Sequence, residues 1–250
     1  AKLPLAQVRM VDCLREINIL VDKTVCGSYE FMATKAPRVY GKLYNNTQNA
    51  KVDVVPALTA LCSRRLLSCI REFQPDVILT THPFAGQMVS HLKERGKVAQ
   101  PLISIVTDYG PHRAYLAGGI DAYVVPCVEC KDALAAMGVE PERIYPYGIP
   151  VFDVFFRHGD KAALREELGL LPDLPALLVM AGSFGVSNIM GIYQELERLS
   201  EPFQFVVITG KNKKLYELFE KQRAQAKKPF ELVFFTDRVQ SYMQASDLLI

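Results

Sequence analysis

The chain has 250 residues, of which 50% are hydrophobic, and it carries 29 lysines and arginines against 27 acidic residues, a formal net charge of +2. This composition excludes a disordered or fibrous protein and suffices for one large or two ordinary domains. The near balance of charge gives no support for nucleic acid as the main partner. No stretch approaches the roughly 20 apolar residues that span a bilayer, and residues 1–20 lack the order of a signal peptide, so we expect a cytoplasmic protein.

Six cysteines are present, at positions 13, 26, 62, 69, 127 and 130, and without an export signal we expect them to be reduced thiols. Cys127 and Cys130 form a lone C-x-x-C motif with neither a second pair nor a close histidine. This context disfavours a zinc or redox role for the pair.

The amino-terminal region combines basic and apolar residues. Residues 1–51 carry eight lysines and arginines against four acidic residues, which suits a solvated face or an anionic membrane surface. Apolar residues at helical spacing predict an amphipathic helix over residues 5–20. Residues 28–47 interleave aromatic and basic side chains, a pattern compatible with a core segment or with an interfacial one that places rings among acyl chains and cations at headgroups.

From residue 57 onward, short apolar segments alternate with helical ones, which is the pattern of parallel β-α-β units. In the first part we predict helices over 57–73, 84–95 and 129–137, and strands over 75–80, 101–106, 122–125 and 143–148. Gly96 and Gly138 are placed to end their helices. Apolar strands of this length suit burial on both faces.

The segment from Gly148 to about Asp160 breaks this pattern like a hinge, so we predict two domains, residues 1–148 and 149–250. In the second we predict helices over 161–168, 187–199 and 239–244, a basic helix that ends near 226, and strands over 176–180, 204–209, 231–235 and 247–250. The chain stops inside the last strand. Because a cut strand leaves main-chain groups unpaired, we expect a fragment of a longer protein.

Asp108 and His112 follow a predicted strand and flank a Gly-Pro turn. Ligands bind at the carboxyl ends of strands in open parallel sheets, so these side chains are candidates for a shared proton transfer. In the alternative interpretation, Asp108 caps the next segment and His112 is a hydrogen-bonded loop residue. His82 stands at another strand end and is placed to line the same cleft, whereas we expect no site role for His91 or His158.

Two loops in the second half have phosphate-binding character. Residues 181–185, Ala-Gly-Ser-Phe-Gly, leave main-chain N–H groups open to close approach by a ligand. Gly210-Lys211-Asn212 repeats this arrangement one unit later and adds a cation. Together they favour one site for a nucleotide diphosphate. The chain has no Asp-x-Asp pair to hold a metal there, so we expect helix N-termini and cations to stabilise the leaving group.

An ordered set of motifs from Pro75 to the end of the chain resembles the monogalactosyldiacylglycerol synthase and processive diacylglycerol glucosyltransferase family. The motifs are Pro75-Asp76-Val77-Ile78, Thr81-His82-Pro83, Val106-Thr107-Asp108, His112-Arg113, Asp121, Val125-Pro126, Gly138-Val139, Ile144, Gly148-Ile149-Pro150-Val151, Gly182-Ser183-Phe184-Gly185 and Gly210-Lys211-Asn212-Lys213. The resemblance implies an α/β protein of the GT-B type, with two Rossmann-like domains built on parallel sheets and the C-terminal one incomplete.

The resemblance also implies an activity: inverting transfer of a hexose from UDP-glucose or UDP-galactose to diacylglycerol, without a metal or other cofactor. Diacylglycerol, anionic membrane lipids and the UDP-sugar are then the partners, and the enzyme is peripheral on the cytoplasmic face of the membrane. Two alternatives stay open. One is a related GT-B enzyme with another acceptor, such as a lipid-linked muropeptide transferase or a UDP-sugar epimerase, and the other is a non-catalytic lipid- or nucleotide-binding module.

The resemblance implies three groups of site residues. His112 matches the acceptor-activating base, with Asp108 as its orienter. The acceptor side includes His82, Pro83 and Tyr115, and Tyr115 stands where relatives commonly have tryptophan. The donor side comprises Gly182, Ser183, Phe184, Gly185, Gly210, Lys211 and Asn212.

Overall fold

The structure is a computed structural model that describes residues 6–13, 56–180 and 189–250, with side chains in the first helix from residue 64 onward. The chain divides into two compact units, Ala1–Pro150 and Val151–Ile250. Among the described residues, each unit contains one four-stranded parallel sheet with helical segments between its strands. Within the described ranges, no helix is both long and apolar enough to cross a membrane.

The first unit alternates helices and strands along the chain, except that only the short 3-10 helix Arg113–Tyr115 lies between its second and third strands. Its elements are α1 (Pro56–Phe73), β1 (Ile78–Thr80), α2 (Pro83–Glu94), β2 (Leu102–Ile105), β3 (Ala122–Val124), α3 (Val128–Ala136) and β4 (Ile144–Tyr145). The strands lie in the order β1-β2-β3-β4, and every neighbouring pair is parallel. In β2, Leu102 and Ser104 are buried, whereas Ile103 and Ile105 are half-buried, so burial is complete on one face only.

Helix α2 packs an apolar face on the sheet of the first unit. Met88, Val89 and Leu92 are buried in one cluster with Leu102 of β2, as helical spacing of apolar residues requires. Gly96 follows α2 and Gly138 follows α3, with φ of +67° and +102°. Both glycines adopt the left-handed conformation that ends a helix, which confirms the predicted helix ends.

The second unit has the same alternation with a different strand order. Its elements are α4 (Lys161–Glu167), β5 (Ala176–Met180), α5 (Ile189–Glu197), β6 (Gln204–Ile208), α6 (Lys213–Arg223), β7 (Phe230–Val233), α7 (Val239–Ala245) and β8 (Leu248–Leu249). The parallel strands lie in the order β7-β6-β5-β8. The order reverses at β5, and in sheets of this kind ligands bind at the carboxyl end of the strand where it reverses.

Several aromatic side chains pack together in the larger core cluster of the second unit. The Tyr193 ring centroid lies 4.8 Å from that of Phe205, 5.5 Å from Phe219 and 5.4 Å from Phe230. All residues of β6 are buried, so this strand is covered on both faces. The two parallel sheets with their helices confirm the predicted α/β class and its two Rossmann-like halves.

The helix predicted over residues 5–20 is wrong in its first part, because residues 6–12 are not helical. Val8, which belongs to the predicted apolar face, is 86% exposed, and the nearby Met10 is 96% exposed. Most of the stability of a short helix comes from packing of its apolar face, and these two side chains remain in solvent. Residues 14–20 and the aromatic-basic stretch over 28–47 lie outside the described residues.

Candidate functional site

His82 follows β1 and begins helix α2. Its backbone is extended, and its Nδ1 accepts a hydrogen bond of 3.3 Å from the main-chain N–H of Phe84. Pro83 occupies the first helical position, where its missing N–H costs no hydrogen bond. Because Nδ1 is the acceptor, the proton of the neutral ring is assigned to Nε2. His82 in its neutral form is therefore a hydrogen-bond donor through Nε2.

His112 follows β2 and caps the short 3-10 helix Arg113–Tyr115 in the same manner. Its Nδ1 accepts from the main-chain N–H of Ala114 at 3.0 Å, and only 8% of the residue is exposed. This geometry corresponds to the second interpretation from the sequence, in which His112 is a hydrogen-bonded loop residue. If His112 acts as a base, its uncharged ring must first release the N–H of Ala114, because Nδ1 is the nitrogen that accepts the proton.

Asp108 and Tyr115 are joined across the loop after β2. The Tyr115 hydroxyl donates to Asp108 Oδ2 at 2.9 Å. Burial and this hydrogen bond raise the pKa of Tyr115 to about 12, so its hydroxyl stays protonated at neutral pH. The hydrogen bond thus holds the carboxylate on a buried ring. The predicted orienting role of Asp108 toward His112 stays a prediction.

Asp108 also acts on His82 through its charge. Loss of water around the imidazole lowers the pKa of His82, and the negative charge of Asp108 raises it by a smaller amount. A lowered pKa favours the neutral ring, which is the form that donates through Nε2. The structure therefore brings His82, Asp108 and Tyr115 together at the carboxyl edge of the first sheet.

Two side chains that the sequence did not single out for this site hold the same loop. Gln87 Nε2, from α2, donates to the carbonyl of Ala114 at 2.8 Å. Cys130 Sγ, from α3, lies 3.1 Å from the carbonyl oxygen of Tyr109. The C-x-x-C motif was visible in the sequence, but its contact with the loop depends on how α3 packs.

On the donor side, the structure describes the loop between β6 and α6. Gly210 has a φ of +61°, and Asn212 caps α6 by accepting a hydrogen bond from the main-chain N–H of Leu215 at 3.0 Å. Lys211 is exposed, and its Nζ lies 5.2 Å from the ring centroid of Phe235, which follows β7. A cation therefore stands beside the amino end of a helix, where an anion is favoured.

The other donor-side loop is not described. Residues 181–188 lie outside the described residues, so the roles of Gly182, Ser183, Phe184 and Gly185 stay predictions from the sequence. Within 6–13, 56–180 and 189–250, no group of three or more His, Cys, Asp or Glu side chains is placed to hold a metal ion.

Solved structures share this architecture. A putative UDP-N-acetylglucosamine 2-epimerase from Listeria monocytogenes is similar with a TM-score of 0.54 and 16% identity, over 80% of this chain and 58% of that chain. MurG from Acinetobacter baumannii is similar with a TM-score of 0.51 and 13% identity, over 78% of this chain and 51% of that chain. At such low identity the similarity concerns the fold alone, and that fold is GT-B.

The family follows from the sequence match. Residues 3–151, more than half of the chain, match the family described as monogalactosyldiacylglycerol (MGDG) synthase. The chain therefore belongs to the MGDG synthase family, which confirms the resemblance inferred from its motifs.

Curated relatives carry corresponding names. A processive diacylglycerol beta-glucosyltransferase from Staphylococcus saprophyticus is 32% identical over 190 residues, which are 74% of this chain and 47% of that protein. A probable MGDG synthase 2, chloroplastic, from Oryza sativa subsp. indica is 27% identical over 236 residues, which are 89% of this chain and 50% of that protein. The chain thus spans about half the length of the curated relatives it matches.

Proposed function

We propose that the chain supplies the acceptor-binding half and part of the donor-binding half of an enzyme that transfers a hexose from a UDP-sugar to diacylglycerol, with inversion at the anomeric carbon. The observation that carries this proposal is the family match over residues 3–151. Relatives named for diacylglycerol glucosyl transfer and for MGDG synthesis support the choice of acceptor. The hexose, glucose or galactose, is the outcome that the assay below decides.

In the proposed reaction, the diacylglycerol hydroxyl attacks the anomeric carbon while the bond from that carbon to UDP breaks. His112 takes the hydroxyl proton after its ring releases the N–H of Ala114. General-base assistance of this kind typically contributes about 10²–10⁴-fold. Asp108 stabilises the positive ring that results, and neutral His82 donates to the acceptor through Nε2. Pro83 and Tyr115 form the adjoining wall of the acceptor site.

The departing UDP carries negative charge, and we assign its stabilisation to the donor-side loops. Lys211 supplies a cation, and the N–H groups at the start of α6 supply donors beside it. Gly210, Asn212 and the segment from Gly182 to Gly185 allow the main chain to approach the diphosphate closely. The proposed step uses no metal ion, so chelation with EDTA leaves turnover unchanged. A loss of activity on chelation that added magnesium restores contradicts this part.

The acceptor lies in membranes, so we propose peripheral binding at the cytoplasmic face through anionic lipids. The excess of basic residues within 1–51 supports an electrostatic contribution. More protein is therefore expected to sediment with vesicles that contain anionic lipid than with neutral vesicles. Because salt screens such attraction, the difference shrinks at high ionic strength. Equal binding to both vesicle types contradicts the electrostatic part.

The deciding experiment assays the full product of the gene that encodes this chain. Vesicles that contain diacylglycerol are incubated with UDP-glucose or UDP-galactose, and lipid-linked sugar is measured. Glycosylated diacylglycerol from either donor supports the proposal and identifies the hexose. Consumption of UDP-sugar only with a lipid-linked muropeptide, or with no acceptor, overturns it in favour of a cell-wall transferase or an epimerase.

A further inference from the structure

Cys127 and Cys130 stand together at the start of α3. Cys127 is the residue that precedes the helix, and its side chain makes no capping hydrogen bond. Cys130 lies in the first turn and is 1% exposed, and the two sulfur atoms are 3.4 Å apart. A disulfide has an S–S length of about 2 Å, so the sulfurs need to approach by only about 1.4 Å.

The same pair touches the candidate acceptor site. Cys130 Sγ lies 3.1 Å from the carbonyl oxygen of Tyr109 and 3.9 Å from that of Asp108. A thiol in this position donates its proton to the loop after β2. A disulfide sulfur has no proton, so oxidation removes this donor from the loop that carries Asp108.

We propose that Cys127 and Cys130 form a reversible dithiol–disulfide site, which exchanges with low-molecular-weight disulfides and releases the loop over residues 106–110 when oxidised. The inference goes beyond glycosyl transfer and does not depend on it. It reverses the expectation that this C-x-x-C pair has no redox role, because the sequence spacing did not show the sulfur–sulfur distance.

The two cysteines have different parts in the exchange. Cys127 is half-buried whereas Cys130 is buried, so the thiolate of Cys127 attacks the incoming disulfide and expels one thiol. Cys130 then loses its proton and attacks the sulfur of Cys127, which expels the second thiol. Two cysteine thiols are oxidised, one disulfide is reduced to two thiols, and the cysteine protons pass to the released thiolates.

The second step needs the thiolate of the buried Cys130. Burial, together with the hydrogen bond and charge of Cys127, raises the pKa of the Cys130 thiol to about 11. Only a small fraction of Cys130 is therefore thiolate at neutral pH. In the mixed disulfide Cys127 has neither a proton nor a charge, but burial still disfavours the Cys130 thiolate, so ring closure accelerates as pH rises.

The test equilibrates the 250-residue chain with reduced and oxidised glutathione at several ratios, quenches with acid and alkylates the remaining thiols. Cleavage after Arg113 and Lys131 releases one peptide that contains both cysteines. We expect this peptide to lose both alkylatable thiols together, through a glutathione adduct on Cys127, and to recover them with dithiothreitol. Full alkylation of both cysteines at every ratio overturns the proposal, as does a disulfide to any other cysteine.

Variants separate the two roles. Cys130→Ala keeps a small apolar side chain in the buried position, and we expect it to retain glutathione on Cys127. Cys127→Ala is expected to leave Cys130 unmodified. Cys69→Ser is the matched control, because Cys69 is another half-buried thiol, on α1, and its loss leaves oxidation of the pair unchanged. Glutathione on Cys130 in the Cys127→Ala variant contradicts the assigned order.

Amide hydrogen exchange tests the effect on the loop. Oxidised protein is expected to exchange the amides of residues 106–112 faster than reduced protein, while peptides from β6 and β7 exchange at the same rate in both. The Cys127→Ala variant under the same oxidant shows no acceleration. Unchanged exchange over 106–112 in the fully oxidised protein overturns the coupling between the pair and the site.

Discussion

The same set of hydrogen bonds stabilises the amino ends of both sheets, whereas the residues at the carboxyl ends of the two sheets differ. At each amino end, an aspartate that precedes one strand accepts hydrogen bonds from the first main-chain N–H of the neighbouring strand and from a helix cation. The sets are Asp121 with Leu102 at 2.6 Å and Lys93 at 2.5 Å, and Asp247 with Ala176 at 2.7 Å and Arg165 at 2.5 Å. Because two separate domains share this arrangement of aspartate, main-chain N–H and cation, we infer that it serves stability.

The carboxyl ends use different caps. His82 and His112 cap the helical segments after β1 and β2, whereas Asn212 caps the helix after β6. Asparagine is among the best helix caps, and histidine is not. Capping alone therefore does not account for the two histidines, whereas the proposed roles of His112 as base and of His82 as hydrogen-bond donor do. The difference agrees with the proposal that proton transfer takes place at the first sheet and anion binding at the second.

The largest expected effect comes from His112, where two substitutions separate its two roles. His112→Asn keeps an acceptor for Ala114 N–H and removes the base, whereas His112→Ala removes both. We expect both variants of the full gene product to lose about 10²–10⁴-fold in kcat, because loss of the base governs the rate. The measurement is steady-state formation of lipid-linked sugar.

His91→Ala is the matched control for that experiment, because His91 lies in the last turn of α2, away from the N-terminal cap at His82. We expect it to retain near-parent turnover. If His112→Asn has near-parent turnover and His112→Ala does not, His112 is a structural cap rather than the base. That result removes the main contrast between the two carboxyl edges.

The next effect concerns Lys211 in the second unit. A hydrogen bond to a charged group contributes about 1.5–3 kcal/mol, so Lys211→Met is expected to weaken UDP binding by roughly 10- to 150-fold. Calorimetric titration of the 250-residue chain with UDP measures this. Lys213→Met is the control, because the Lys213 side chain is 83% exposed and lies 4.0 Å from Glu217. Equal losses in the two variants indicate a general effect of charge.

The sequence predicted the fold in most of its parts because local patterns determine them. The strand over 176–180 was predicted with its observed bounds, and glycines mark the ends of α2 and α3. The helix over 5–20 failed over 6–12 because an apolar pattern predicts a helix only when something covers it. For the site, the predicted strands already placed the candidate residues just after strand ends.

The contacts within the site were not predictable from the sequence. The hydrogen bond from Tyr115 to Asp108 depends on how the short helix Arg113–Tyr115 packs against the sheet. The contact from Cys130 to the carbonyl of Tyr109 depends on the position of α3. Both are tertiary, so no periodicity or spacing within one segment encodes them.

A smaller effect, on stability, is expected when the aspartate at the amino end of a sheet is replaced. Asp247→Ala leaves the N–H of Ala176 and the partly buried Arg165 without this acceptor, which costs about 1–3 kcal/mol in the free energy of unfolding. Asp247→Asn keeps a neutral oxygen for Ala176 and costs less. Urea denaturation measures both. Similar losses in the two variants mean that the charge, rather than the main-chain bond, is what matters.

The smallest effect is the pH dependence that both aspartates contribute. Burial raises the pKa of Asp121 and of Asp247, but hydrogen bonds and nearby positive charges outweigh it, so each pKa lies below its ordinary value. Such a carboxyl stabilises the fold fully above its unfolded pKa of about 3.9, and this contribution is lost as pH falls through the lower folded value. Both side chains are at least 40% exposed, so solvent screens the effect. We therefore expect the double variant Asp121→Asn, Asp247→Asn to lose stability less steeply than the parent between about pH 5 and about pH 3. Parallel curves for the parent and the double variant show that the amino ends are held by neutral hydrogen bonds alone.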